Sequence, residues 1–323
     1  MTDCYLGLDL GGTNAKYGLV DAAGRIIKRG RLRVQAERGP EPIISDLIRV
    51  IEELRQDLPE GLHPRGLAVG AAGLVLPREG LLVRAPNLPG WSNVPLAQRL
   101  SQALDIEVRL MNDADLFTLG EWLAGAGRGL GNMVGLTLGT GVGGGLILDG
   151  RIWNGPHGGA GEVGHIIVDP QGRPCGCGSR GCLETLASAT GIVETARQLI
   201  ASGVRCSFEG NPADLTARVL SGLARAGDQV ALEAFETAGR AIGIVLTGIF
   251  NLLGLEGVVM GGGASTSFDL IFPALWSEFQ SRVFAVAPET IRIVPAALGD
   301  DAPLAGAPAL FQKNFCWTMK AGA

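Results

Sequence analysis

Glu162, His165, Cys175, Cys177, Cys182 and Glu184 fall within one short stretch, GEVGHIIVDPQGRPCGCGSRGCLE. One His and three Cys are spaced as Cys-x-Cys-x4-Cys, with the His ten positions before the first Cys. Zinc takes four nitrogen or sulfur ligands in a tetrahedron, and a short loop can bring one imidazole and three thiolates around it. The spacing therefore predicts a closed, structural zinc site in a loop that also carries two carboxylates for a ligand. The plainer alternative is a glycine-rich turn whose cysteines are buried thiols.

Two further segments place small residues after an apolar run: Asp9-Leu-Gly11-Gly12-Thr13, and Leu138-Gly139-Thr140-Gly141 continuing to Gly145. Glycine lets backbone N–H groups reach phosphate oxygens without a Cβ in the way, and the threonine hydroxyl adds a donor. Neither segment is a P-loop, because no Lys follows at the required place. Neither is a dinucleotide fingerprint, because each turn leads into a strand rather than a helix. Together, with Asp9 closing the first strand, they predict a two-sided clamp on a nucleoside triphosphate, Asp9 holding magnesium through water. A third turn, Gly261-Gly262-Gly263, either admits a nucleoside close to the backbone or simply turns a strand into a helix. Asn112-Asp113 ends an apolar strand just before a helix, so Asp113 is either a helix cap or a placed base.

These groups need strands and helices to hold them. Residues 4–10 read as a strand, and 17–20 with 26–28 as a hairpin around Asp21-Ala-Ala-Gly24. A helix is expected over about 42–58, with Ile43, Leu47, Val50, Ile51 and Leu54 on one face. Residues 67–69 read as a strand entering Gly70-Ala-Ala-Gly73, 96–104 as a short helix, and 108–111 as a strand. The strand–turn–strand pattern restarts at Met133, with strands over 133–138 and through Ile147, so the fold reads as duplicated. Helices are expected near 190–202, 213–225 and 228–253, strands at 258–260 and 291–295, and a closing helix over 302–311. No low-complexity linker divides the chain.

The chain of 323 residues is 46% hydrophobic and 18% charged, which suits one or two globular domains with a proper core. A net charge of −5 leaves no basic footprint for nucleic acid. Fifty glycines, about twice the usual share, cluster at the turns above. The N-terminus lacks a basic region followed by a long apolar one, so a cytoplasmic protein is expected. The apolar stretch 241–263 is broken by Asn251 and Glu256 and reads as a buried helix passing into a buried strand, not a membrane span. Cys4, Cys206 and Cys316 are scattered singles, as suits reduced thiols.

In these motifs the chain resembles a sugar kinase of the ROK family (repressors, open reading frames and kinases), within the actin-like, hexokinase-like ATPases. The resemblance rests on Asp9-Leu-Gly-Gly-Thr-Asn14, Pro86-Asn87-Leu-Pro-Gly-Trp91, Asn112-Asp-Ala114, the turn from Leu138 to Gly145, Gly161-Glu-Val-Gly-His165 and Cys175-Gly-Cys-Gly-Ser-Arg-Gly-Cys-Leu-Glu184, in family order. It implies an α/β, two-domain actin-like ATPase (ribonuclease H-like) fold with an interdomain cleft. The smaller N-terminal domain would take 1–113 plus 302–323, and the larger C-terminal domain, with the zinc loop, 114–301. Asp113 would be the general base. Asn112, Glu162, His165 and Glu184 would hold sugar hydroxyls, with Asn87 and Gly73 completing the pocket. His165 would also bind zinc beside Cys175, Cys177 and Cys182, fixing its tautomer. ATP and Mg2+ would be held by Asp9, Gly11, Gly12, Thr13, Gly139, Thr140 and Gly141, with Gly261, Gly262 and Gly263 near the nucleoside.

The segments Pro86–Trp91 and Cys182-Leu-Glu-Thr185 look most like the glucokinase branch, which implies phosphorylation of D-glucose to glucose 6-phosphate. N-acetylmannosamine, N-acetylglucosamine and fructose are the alternative acceptors, since one acetamido group changes only pocket volume and hydrogen bonding. The family also implies a homodimer or homotetramer. A sugar-responsive transcription regulator, the other half of the family, would need a helix-turn-helix before Asp9, which follows Met1 by eight residues. Two departures stand out. Asp115 replaces the usual Asn in Asn-Asp-Ala-Asn and could raise the pKa of Asp113, and Gly70-Ala-Ala-Gly73 replaces Gly-x-Pro-Gly.

Overall fold

In a computed structural model, which describes residues 2–312, the first apolar run is β1 (Thr2–Leu10). It turns at Gly11-Gly12 into β2 (Asn14–Asp21), whose antiparallel register sets Lys16 opposite Asp9. β3 (Ile26–Arg33) completes the hairpin, as the turn residues predict: the Asp21 carboxylate accepts from Ala23 N and Arg25 N, each at 2.9 Å. α1 (Pro40–Gln56) starts on a proline and buries Ile43, Leu47, Val50, Ile51 and Leu54. β4 (Leu62–Ala71) runs parallel to β1.

Three short strands, β5 (Leu74–Leu76), β6 (Leu81–Arg84) and β7 (Ser92–Val94), form an antiparallel meander absent from the sequence reading. Strands of this length show too little alternation to be seen in sequence. α2 (Leu96–Leu104) then leads to β8 (Val108–Asn112), parallel to β4, and α3 (Asp113–Leu123) follows without a loop.

β9 (Met133–Leu138) and β10 (Val142–Leu148) flank the second glycine turn, and β11 (Arg151–Ile152) pairs antiparallel with β10. The helices α4 (Glu184–Ala187), α5 (Ala189–Ala201), α6 (Ala217–Arg225) and α7 (Gln229–Leu253) come next. β12 (Gly257–Gly261), α8 (Phe268–Arg282) and β13 (Arg292–Pro295) follow, β13 parallel to β12. One sheet has the order β3-β2-β1-β4-β8 and another β11-β10-β9-β12-β13, so the same strand sequence is used twice. The duplication read from the glycine turns is thus a duplication of topology.

Two expectations need correction, and one helix is additional to them. α8 carries Pro273 inside it on an exposed position while Ile271, Leu275 and Phe279 hold the buried face. The helix expected over 213–225 begins only at Ala217, where the Thr216 hydroxyl accepts from Val219 N at 3.2 Å. The closing helix is two, α9 (Ala302–Ala305) and α10 (Ala307–Phe311), since Pro308 has no N–H to continue the first.

The chain divides into two compact units. The first takes the described residues up to Gly135, Gly145–Gly161 and those from Ala296 onward; the second takes Leu136–Gly144 and Glu162–Pro295. α3 packs on α9 and β4, so the first unit runs past residue 113. Its core joins Cys4, Leu6, Leu8 and Leu10 of β1 to Leu47 and Ile51 of α1. Part of the segment 302–323, and Cys316 with it, lies outside the described residues. Among the described residues no helix is long and apolar enough to cross a membrane.

Candidate active site and metal-binding loop

In the first unit, β8 delivers Asn112 and Asp113 to the start of α3. The cap is Asn112: its Oδ1 accepts from Ala114 N at 2.8 Å, and its Nδ2 donates to Gly73 O at 3.0 Å. Asp113 is therefore not consumed as the cap, though Ala114 N also lies 3.0 Å from its Oδ1. Burial pushes the Asp113 carboxyl above its ordinary pKa, while the N–H groups of the first turn pull it back. Asp115 is not among the groups that raise it.

Gly73 holds the opposite side of this contact. Its φ is +133°, and a Cβ there would lie 2.2 Å from Arg84 O. Only glycine fits. The Gly11-Gly12 turn closes with Gly11 N donating to Asn14 O at 3.1 Å, and Thr13 O accepts from Val34 N at 2.8 Å. A Cβ on Gly12 would lie 2.7 Å from that of Asn87, so the Gly11-Gly12 turn and Asn87 are neighbours.

Asp9 sits beside this turn with its pKa pushed up to about 6, first by burial and then by the charge of Asp113. Lys16, 3.8 Å away, works in the other direction. The sequence reading missed Lys16. Seven positions from Asp9, it becomes a neighbour only through the hairpin register.

In the second unit, Glu184 opens α4 and binds the other glycine turn. Val142 N donates to its Oε2 at 3.1 Å, and Cys175 Sγ lies 3.7 Å from its Oε1. Ala189 N donates to Gly139 O, and Thr190 Oγ1 to Thr140 O, both at 2.8 Å. The helices after the Cys/His loop therefore fix the turn. Gly262, with φ +86°, brings the third turn against the Leu138 backbone, where a Cβ would lie 2.5 Å from the carbonyl oxygen. Gly139, Thr140 and Gly263 line one cavity of about 840 Å³ together with Ser221, Arg225 and Phe235. The last three were also missed, since α6 and α7 read in sequence only as amphipathic helices.

His165, Cys175, Cys177 and Cys182 come together with their ligand atoms all within 4.8 Å of one another. Cys177 and Cys182 have sulfurs 3.7 Å apart, and Cys175 Sγ lies 3.7 Å from His165 Nδ1. Thiolates bound to zinc at about 2.3 Å in a tetrahedron are spaced by about 3.8 Å, so the set fits a zinc-sized ion. The loop could hold a metal with four protein ligands and no position left for water. His165 Nε2 points the other way, 3.9 Å from Glu162 Oε2. Burial pushes the Cys175 thiol up to about 12, an effect a bound dication would reverse.

A strand-end carboxylate at a helix start, with glycine turns repeated in a duplicated topology, is the arrangement of an actin-like sugar kinase. The chain belongs to the ROK family, whose profile matches residues 5–314. Over 312 residues it is 35% identical to a glucokinase of Thermotoga maritima, covering 96% of this chain and 97% of that one. It is 33% identical to a glucokinase of Halalkalibacterium halodurans, with 94% and 93% covered. Among solved structures it is similar to a ROK family glucokinase from Streptomyces griseus in complex with glucose and AMPPNP. The TM-score is 0.80 at 30% identity, over 95% of this chain and 98% of that one. The fold is the two-domain actin-like ATPase fold expected from the motifs.

Proposed function

We propose that this protein transfers the γ-phosphoryl group of ATP to a hexose, D-glucose foremost, giving glucose 6-phosphate and ADP. The observation that carries the reading is the β8–α3 junction. Asn112 takes the cap and the tie to Gly73, leaving Asp113 a half-buried carboxylate of raised pKa in a chain alike over nearly its whole length to glucokinases. Such a carboxylate is suited to take a proton from a sugar hydroxyl near neutral pH.

Phosphoryl transfer asks mainly for positioning and charge stabilisation. Gly11, Gly12, Thr13, Gly139, Thr140 and Gly141 would hold phosphate oxygens; Gly263 of the Gly261-Gly262-Gly263 turn lines a cavity of a size for the nucleoside. Magnesium, held through water by Asp9, would supply positive charge to the β- and γ-phosphates. Asn87, Asn112, Glu162, His165 and Glu184 would hold the sugar hydroxyls. Zinc held by His165, Cys175, Cys177 and Cys182 would fix the loop, leaving His165 Nε2 for the sugar. We further propose a cytoplasmic homodimer or homotetramer.

The test is ADP release from Mg-ATP with glucose, mannose, fructose, N-acetylglucosamine and N-acetylmannosamine in turn. Glucose should give the highest kcat/KM. A preference for an N-acetyl sugar would keep the chemistry and move the substrate. No turnover with any of the five by zinc-loaded protein would overturn the kinase reading.

A further inference from the structure

The second unit carries a polar cavity against the Cys/His loop that the proposed reaction does not use. Its volume is about 490 Å³, and its lining includes Asp169, Gln171, Arg173 and Arg180 of the loop with Thr195 and Gln198 of α5. That volume lies within the usual span of small-molecule sites, about 300–1,000 Å³. The cavity shares no lining residue with the one beside Gly139 and Gly263.

Arg173 is half-buried and held in place by neutral groups. Its Nη1 donates to Gly191 O at 3.3 Å and its Nη2 to Thr195 Oγ1 at 2.8 Å, while Thr195 Oγ1 donates to Gly191 O at 3.0 Å. A guanidinium has five N–H groups, so these two bonds leave donors over. Arg180 Nη1 donates to another neutral group, Gly172 O, at 2.8 Å. Among the described residues neither guanidinium forms an ion pair, and Glu194 acts on Arg173 from a greater distance. The carboxylate in the lining, Asp169, accepts through Oδ1 from Gln171 N at 3.0 Å. On α7, Glu233 is engaged by Arg240 and by Thr237. A half-buried cation kept away from carboxylates has lost hydration without gaining a counter-charge, which favours an anion beside it.

We propose that Arg173 and Arg180 bind a phosphoryl group, carried by a phosphorylated sugar or by inorganic phosphate. The planar guanidinium fork matches phosphate oxygens, and Gly191 and Thr195 already fix the plane of the Arg173 fork. In an ester, Asp169, Gln171 and Gln198 supply acceptors and donors for the sugar hydroxyls. A sugar phosphate is the product expected of the proposed kinase, and that choice of ligand alone rests on the kinase reading. Arg173 precedes Cys175 by two residues, and Arg180 precedes Cys182 by two. An anion held by both therefore braces the Cys/His loop from outside, next to Glu184 and its bond from Val142 N.

The experiment titrates glucose 6-phosphate, and separately inorganic phosphate, into the wild type, Arg173→Gln and Arg180→Gln by calorimetry. Glucose and AMPPNP are held at saturation, so that the product position of the kinase is occupied. One equivalent of anion per chain should bind the wild type, and either substitution should weaken it at least about tenfold. Hydrogen exchange across 169–182 should slow when the anion is bound. Arg180 is exposed, so Arg180→Gln should keep the wild-type melting temperature and basal turnover and serve as the test if Arg173→Gln disturbs the loop. Tighter binding of the ester assigns the sugar phosphate as ligand, and equal affinity assigns free phosphate. No saturable binding of either anion, or binding that both variants retain, would overturn the proposal. The readout is binding, so a protein that holds the anion through these arginines yet transfers no phosphoryl group would sink the kinase reading and leave this site standing.

Discussion

Asp113 and Asp9 are half-buried acids whose raised pKa values pull activity and stability in opposite directions. Asp113→Asn removes the proton acceptor but keeps the shape, so turnover should fall by at least ~10²–10⁴-fold with glucose affinity retained. ADP release and titration calorimetry read the two separately; substantial turnover would place the base elsewhere. Asp9 has its pKa pushed up to about 6 from 3.8, so its charge is costly to the free protein at neutral pH. The neutral form's stability is complete below about pH 4 and is lost as pH rises through about 6. Asp9→Asn should therefore stabilise the protein at pH 7.5, by up to about 3 kcal/mol, and by only about a third as much at pH 4.5, each read as a raised melting temperature. Activity should fall at the same time, the usual exchange of stability for a functional site. An equal gain at both pH values would show that burial of the charge is not the cause.

At the level of elements, what could be read from sequence was whatever glycine, alternation or a cap writes locally. The Gly11-Gly12 and Gly139–Gly141 turns, the face of α1 and the span of α2 all stand where the residues put them. What could not be read depends on partners far along the chain. Lys16 meets Asp9 only through register, Asn112 meets Gly73 only because β4 and β8 are adjacent, and Pro273 survives in α8 because it faces outward. Gly73 is the sharpest case, since its φ of +133° and the 2.2 Å approach to Arg84 O are invisible in Gly70-Ala-Ala-Gly73. Gly73→Ala should destabilise by about 1–3 kcal/mol and loosen the Asn112 contact. A raised KM for glucose should accompany the lowered denaturant midpoint; unchanged values of both would mean that the turn relaxes freely.

For the whole molecule, the metal loop and the first unit should differ in what keeps them folded. β1 and α1 share a core of leucines and isoleucines that owes nothing to a metal. The segment 166–182 has isolated bridges, Ile167 with Cys182 and Pro174 with Arg180, and its buried apolar side chains are those of Cys175 and Cys182. A segment with so little apolar burial depends on its cross-links, and four convergent ligands supply one when a metal binds. Chelation should therefore raise hydrogen exchange across 165–184 and into α4 while β1, β2 and β4 keep their protection. Glu184 touches both Cys175 Sγ and Val142 N, so the loss should extend to the turn at Gly141 and lower glucose and nucleotide affinity together. Exchange mass spectrometry with and without chelator, alongside metal analysis, decides the point. Uniform loss of protection would make the metal global in its effect, and purified protein that never contained zinc would remove it from the account of the loop.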